Sequence, residues 1–139
     1  MPAAAVGECR VEMSSLRLAD VMVVAPVGRV DHATAGPFER ALEPSLAPSV
    51  SPGALLLDLS RVDYISSVGL RVVMTAAKQL RSRQARIAAA GLQPLVREIF
   101  EIARFNHVVE LFPTMREALQ ALSAPALAAF DATAGTGAA

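Results

Sequence analysis

A chain of 139 residues with thirteen basic and thirteen acidic side chains has no net charge, which excludes the strongly basic surface of a dedicated nucleic-acid-binding protein. Its hydrophobic content of 53% suffices for one buried core, so we expect a single folded domain. No apolar run is long enough to cross a membrane, and the first residues lack the pattern of a signal peptide, so we expect a cytoplasmic protein. The single cysteine, Cys9, has no partner for an internal disulfide.

The N-terminal part predicts a hairpin followed by a helix. Residues 11–18 alternate imperfectly between apolar and polar, and residues 21–27 are rich in β-branched side chains, with two residues between them for a turn. An exit loop over residues 28–34 then leads to the helix. Because Pro44 removes a hydrogen-bond donor, we expect this helix to kink or to end near Glu43.

Strands and helices alternate in the rest of the chain. Residues 54–59 form a nearly continuous apolar run, which is typical of a strand covered on both faces. The remaining predicted elements are, in order, a turn, a helix that opens at the serine pair 66–67, a strand over residues 86–90, a helix from Pro94, a strand over residues 108–112 and a last helix with Thr114 and Glu117 as its capping box.

The predicted order is therefore β-β-α-β-α-β-α-β-α. Strands joined through helices require parallel, right-handed crossovers, so we expect an α/β domain with a four- to five-stranded mixed sheet and helices packed against it. The domain spans residues 11–123 and follows an N-terminal extension of residues 1–10. The Ala- and Gly-rich residues 124–139 predict a disordered or frayed tail.

Ser66 and Ser67 stand where the turn after the buried strand opens an amphipathic helix. Backbone N–H groups of a first helical turn are unpaired, and the helix dipole there favours negative charge, so a hydroxyl at this position is suited to carry a phosphate. Serine at a helix start is also a common N-cap. The spacing by itself leaves both roles open.

The string of residues 66–70, Ser-Ser-Val-Gly-Leu, resembles the Asp-Ser-Ser-Gly-Leu or Ser-Ser-Ala-Gly-Leu signature of the STAS domain family, specifically its small anti-sigma factor antagonists, the anti-anti-sigma factors. Residues 28–35 resemble the family's Gly-x-Leu-Asp-x-x-Thr-Ala string. Residues 90–100 resemble its Gly-x-x-Pro-x-Val-x-x-x-Phe string. The similarity runs from about Glu12 to Leu122.

This resemblance implies an anti-sigma factor antagonist that binds an anti-sigma factor serine/threonine kinase and is switched off when that kinase phosphorylates Ser67. A phosphatase would reverse the modification. Ser66, which stands where relatives often have Asp, is a less favoured acceptor. ATP and magnesium would belong to the kinase, so the chain itself is expected to be no enzyme and to need no cofactor. The implied partner-binding residues are Asp31, Ser66, Ser67, Val68, Gly69, Leu70 and Arg71.

Several of these residues also have plain structural interpretations. Asp31 is equally well explained as a turn residue before the first helix, and Arg71 as a solvated arginine. Gly69 is expected to allow close approach of a partner's backbone and an unusual φ angle.

Other kinds of site find little support. His32 and His107 are far apart in the sequence and have no carboxylate at ligand spacing, so no metal site is predicted. The chain has no phosphate-binding loop or nucleophile elbow. Two other functions stay open: a STAS adaptor subunit of a lipid-transport or signalling assembly that is never phosphorylated, and a small nucleotide-binding module. The sequence does not predict the oligomeric state.

Overall fold

The computed structural model describes residues 12–46 and 53–137. It begins with a hairpin of β1 (Glu12–Leu18) and β2 (Val21–Val30), which pair antiparallel with Leu18 opposite Val21. Ala19 in the two-residue turn has a positive φ of 54°. The predicted hairpin is confirmed. The predicted N-terminal extension and Cys9 lie outside the described residues.

β2 is longer than predicted and changes partner along its length. Its first half pairs in parallel with β3 (Ala54–Asp58), and its second half with β4 (Val62–Ile65). The register shifts at Gly28, whose φ of 100° is readily accessible only to glycine. The predicted exit loop over residues 28–34 is wrong for residues 28–30, which belong to β2, whereas residues 31–34 do form a turn. The predicted turn before the serine pair is wrong for Val62–Ile65, which form β4.

β5 (Arg86–Ala90) and β6 (Glu110–Phe112) complete a sheet of order β1-β2-β3-β5-β6, with β4 paired to β2. The mixed α/β sheet is confirmed, and the described part of the chain contributes six strands where four or five were predicted. Successive side chains of β3 point to opposite faces: Leu55 and Leu57 join one core, whereas Leu56 joins the other. Burial on both faces accounts for the continuous apolar run in this strand.

Within residues 12–46 and 53–137, five helices cover the two faces of the sheet. The larger core packs α1 (Ala35–Leu46), α2 (Ser67–Arg81) and α3 (Pro94–Ile102) on one face, and α4 (Met115–Leu122) and α5 (Ala124–Gly137) contribute to the core on the other. A short 3-10 turn, residues 105–107, connects α3 to β6. Among the described residues no helix is both long and apolar enough to span a membrane.

The helix was predicted to kink or to end near Glu43. The end is wrong, because α1 continues through Pro44 to Leu46. Pro44 lies in the last turn of the helix, so the single donor that it lacks affects only the helix end. Phe38 and Leu42, which are 0% and 1% exposed, anchor the preceding turns in the core.

Residues 124–137 form α5, where a disordered or frayed tail was predicted. Tertiary contacts stabilise this helix. Ala126 is fully buried in the core formed with Leu18 and Val23. Just before the helix, the Ser123 hydroxyl donates a hydrogen bond to Asp20 Oδ1 at 2.5 Å and thereby ties the start of α5 to the hairpin turn.

Candidate functional site

The first turn of α2 is held against the ends of two strands. The backbone N–H of Ser66 donates to the Val30 carbonyl at 2.8 Å, which joins the residue after β4 to the end of β2. Ser66 has an extended backbone (φ −90°, ψ 174°), and its Oγ accepts a hydrogen bond from the Gly69 N–H at 3.3 Å. Ser66 is therefore the N-cap of α2.

Ser67 is the first helical residue and is exposed, whereas Ser66 is half-buried. Within the part of the chain that the structure describes, the Ser67 hydroxyl makes no hydrogen bond. The capping role therefore falls to Ser66, whereas the exposed Ser67 hydroxyl lies at the positive end of the helix dipole.

Gly69 faces the interior of its own domain. A Cβ atom at this position would lie 2.8 Å from Val30 Cγ1 and 2.8 Å from Ile65 Cγ1, far below ordinary contact distance. Gly69 is buried and helical. The expectation that it accommodates a partner's backbone was wrong: the close approach is between α2 and the ends of β2 and β4.

Asp31 follows Val30 in the turn that precedes α1, next to the start of α2. Its Oδ1 accepts from the Ala33 N–H at 3.0 Å, and its own N–H donates to Thr34 Oγ1 at 2.8 Å. Its interpretation as a turn residue is therefore confirmed. Partial desolvation alone would raise the pKa of Asp31, but hydrogen bonds from Ala33, Arg29 and Thr34 outweigh it and hold the pKa below its ordinary value.

Arg29 adds a positive charge to this end of the sheet and was not among the site residues predicted from the sequence. Its guanidinium lies 4.5 Å from the centre of the Tyr64 ring, and its Nε lies 3.5 Å from Asp31 Oδ2. The contact exists because Arg29 in β2 pairs with Tyr64 in β4. Since β4 was not predicted, no pattern in the sequence placed these two residues together.

The other proposed partner-binding residues divide between surface and interior. Val68 is 37% exposed, and Arg71 is exposed one turn further along α2. Together with His32 they line a surface depression of about 320 Å³. Leu70, in contrast, is partly buried and packs against the core. The described residues contain no group of three or more His, Cys, Asp or Glu side chains arranged to hold a metal ion.

The described residues thus form an α/β domain with an exposed serine hydroxyl at the start of α2. The STAS domain family matches residues 13–118, which is most of the chain. The chain therefore belongs to the STAS domain family.

Its relatives include proteins named for one regulatory role. BtrV of Bordetella bronchiseptica, named as an anti-sigma factor antagonist, is 48% identical over 90 residues, which cover 62% of this chain and 75% of BtrV. The crystal structure of an anti-sigma factor antagonist from Mycobacterium paratuberculosis has a TM-score of 0.73 at 27% identity and covers 81% of this chain and 93% of that one. SpoIIAA of Bacillus, solved in its phosphorylated form, shares the fold with a TM-score of 0.62 at 14% identity and covers 81% of this chain and 99% of that one.

Proposed function

We propose that this chain is an anti-sigma factor antagonist that binds an anti-sigma factor kinase and is released when Ser67 is phosphorylated. The observation that carries the proposal is the free, exposed Ser67 hydroxyl at the first position of α2, beside a serine that already caps the helix. The similarity to BtrV, named as an anti-sigma factor antagonist, supports the same role.

The free-energy balance of the switch follows from its position. A negative group at a helix N-terminus is stabilised by about 0.3–1 kcal/mol, so a phosphate on Ser67 leaves the domain folded. The phosphate adds about −1.5 to −2 charges, and burying these charges unpaired in an interface costs several kcal/mol. Each 1.4 kcal/mol is about a tenfold change in affinity. The modification therefore weakens binding without unfolding the chain.

Neighbouring residues contribute to the proposed binding surface according to their exposure. Val68 and Arg71 present side chains to a partner next to Ser67, and the Asp31 turn borders the same helix start. Gly69 and Leu70 act indirectly, because they fix the position of the helix against the sheet.

The test is phosphorylation by purified anti-sigma factors encoded in the source genome, each incubated with the chain and Mg-ATP. Intact-mass spectrometry is expected to detect one added phosphate, about 80 Da, on the wild-type chain and on Ser66→Ala, but none on Ser67→Ala. If no kinase modifies the wild-type chain, or if Ser67→Ala is still modified, the phosphoswitch is rejected. An anti-sigma factor that binds the chain without modifying it would reject the phosphoswitch and leave the antagonist role in place.

A further inference from the structure

A groove between α1 and α2 starts next to Ser67 and runs along both helices. Its first part is the depression of about 320 Å³ that Val68 and Arg71 border. A second depression of about 210 Å³ reaches Gln79. The two share Glu39, Val72 and Thr75 as lining residues, so they form one continuous groove.

The groove has an apolar floor between polar rims. Leu42, Val72 and Ala76 lie at its base and are 1%, 9% and 1% exposed. Thr75 and Gln79 form the α2 rim and are exposed. This combination is suited to an amphipathic segment, which would place apolar side chains over the base and polar ones along the rims.

The charge of the groove changes along its length. Arg71 lies at the end near Ser67, whereas Glu39 and Glu43 form the α1 rim further along. No ion pair to either glutamate occurs among the described residues, and the nearby Arg40 forms none with Glu43. Like charges four residues apart disfavour a helix, so this pair does not serve to stabilise α1. The two carboxylates are free to attract a positively charged partner.

We propose that the groove binds a basic amphipathic helix of the same anti-sigma factor that docks at Ser67, an inference that rests on the proposed function. From Val68 to Gln79 the groove extends over twelve residues of α2, or about 16 Å, which corresponds to about three turns of a bound helix. Lys or Arg side chains of that helix contact Glu39 and Glu43. Both walls of the groove are helices, which offer no free backbone edge for strand addition.

A charge-reversal experiment tests the electrostatic part of the proposal. The variant Glu39→Lys/Glu43→Lys is compared with Glu98→Lys/Glu101→Lys, which makes the same change in net charge on exposed residues of α3. Binding to the purified anti-sigma factor is measured by calorimetry at two salt concentrations. We expect the groove variant to bind at least about tenfold more weakly than wild type, and the α3 variant to bind within about twofold of wild type. The affinity of the groove variant should also depend less on salt concentration than that of wild type. Equal affinities of the two variants would overturn the proposal.

A steric experiment tests whether the groove itself is occupied. Thr75→Trp fills the point where the two depressions meet, whereas Lys78→Trp adds the same side chain at an exposed position of α2 that does not line the groove. We expect only Thr75→Trp to lose binding, while both variants keep the wild-type circular dichroism spectrum. If the wild-type chain and Thr75→Trp bind equally well, the groove proposal is rejected and the proposed function is retained. If no anti-sigma factor binds the wild-type chain, both the proposed function and the groove proposal are rejected.

Discussion

Ser66 and Ser67 are adjacent and chemically identical, yet one is bonded to the helix backbone and the other is free. The sequence located the pair at a helix start, because a regular apolar stripe at helical spacing follows it. It could not divide the two roles, since they depend on which residue is the first with helical backbone angles, and that boundary is uncertain by a residue or two from sequence.

Replacement of the capping serine is expected to destabilise the domain. Ser66→Ala removes the acceptor for the Gly69 N–H and should lower the free energy of unfolding by about 1 kcal/mol. Ser67→Ala removes no hydrogen bond to the described residues and should stay within about 0.5 kcal/mol of wild type. Urea denaturation of both variants measures the difference. Equal destabilisation would contradict the assignment of Ser66 as the cap.

Gly69 and Gly36 form a matched pair of helical glycines. Gly69→Ala drives a Cβ into Val30 and Ile65 and should lower the free energy of unfolding by about 1–3 kcal/mol. At Gly36 the nearest atom would be an Arg40 guanidinium nitrogen at 3.5 Å, so Gly36→Ala should be neutral or stabilising by up to about 1 kcal/mol. Thermal denaturation distinguishes the two. A tolerated Gly69→Ala would contradict the close contact between α2 and the strand ends.

Asp31 is expected to make stability depend on pH. Its pKa is lower in the folded chain, so its charged form contributes stability above its unfolded pKa of about 3.9, and that contribution is lost as pH falls through the folded value. Asp31→Asn should therefore be less stable than wild type at neutral pH, and the gap should narrow by about pH 3. Urea midpoints at both pH values measure it; a gap that widens in acid would contradict the hydrogen-bonded turn.

At the scale of elements, the sequence predicted well where local pattern decides structure. Pro94 opens α3, and the Thr114 hydroxyl accepts from the Glu117 N–H at 3.1 Å as the capping pattern predicted. β4 was not predicted because it has only four residues and pairs with β2 beyond the register shift at Gly28. α5 was not predicted because its composition resembles a loose tail, and its order comes from contacts with the hairpin. Such contacts are non-local, so no short window of sequence contains them.

The start of α5 provides a test of that tertiary stabilisation. Ser123→Ala removes the hydrogen bonds from Ser123 to Asp20 and from the Ala126 N–H to Ser123 and should cost about 1–2 kcal/mol of unfolding free energy. Ser82→Ala, which removes an exposed hydroxyl bonded to the Gln79 carbonyl, should cost less than about 0.5 kcal/mol. Hydrogen exchange should be faster in α5 of Ser123→Ala only. An unchanged hydrogen-exchange rate in α5 would show that the helix does not depend on the hydrogen bonds of Ser123.

At the scale of the whole molecule, the contacts that hold the fold together and the proposed phosphorylation site use different atoms of one helix start. The core on both faces of the sheet, the Ser66 cap and the packing at Gly69 hold the domain together. None of these uses the Ser67 hydroxyl. A phosphate on Ser67 therefore changes the charge of the surface next to the groove of α1 and α2 and leaves the internal contacts in place.

The most direct measurement uses a chain with genetically encoded phosphoserine at position 67. Its thermal stability and its affinity for the anti-sigma factor are compared with those of the unmodified chain. We predict a thermal midpoint that rises by no more than about 5 °C and an affinity for the anti-sigma factor that falls by at least about a hundredfold relative to the unmodified chain. If phosphorylation left the affinity unchanged, or if the phosphorylated chain unfolded, a switch that acts on binding alone would be contradicted.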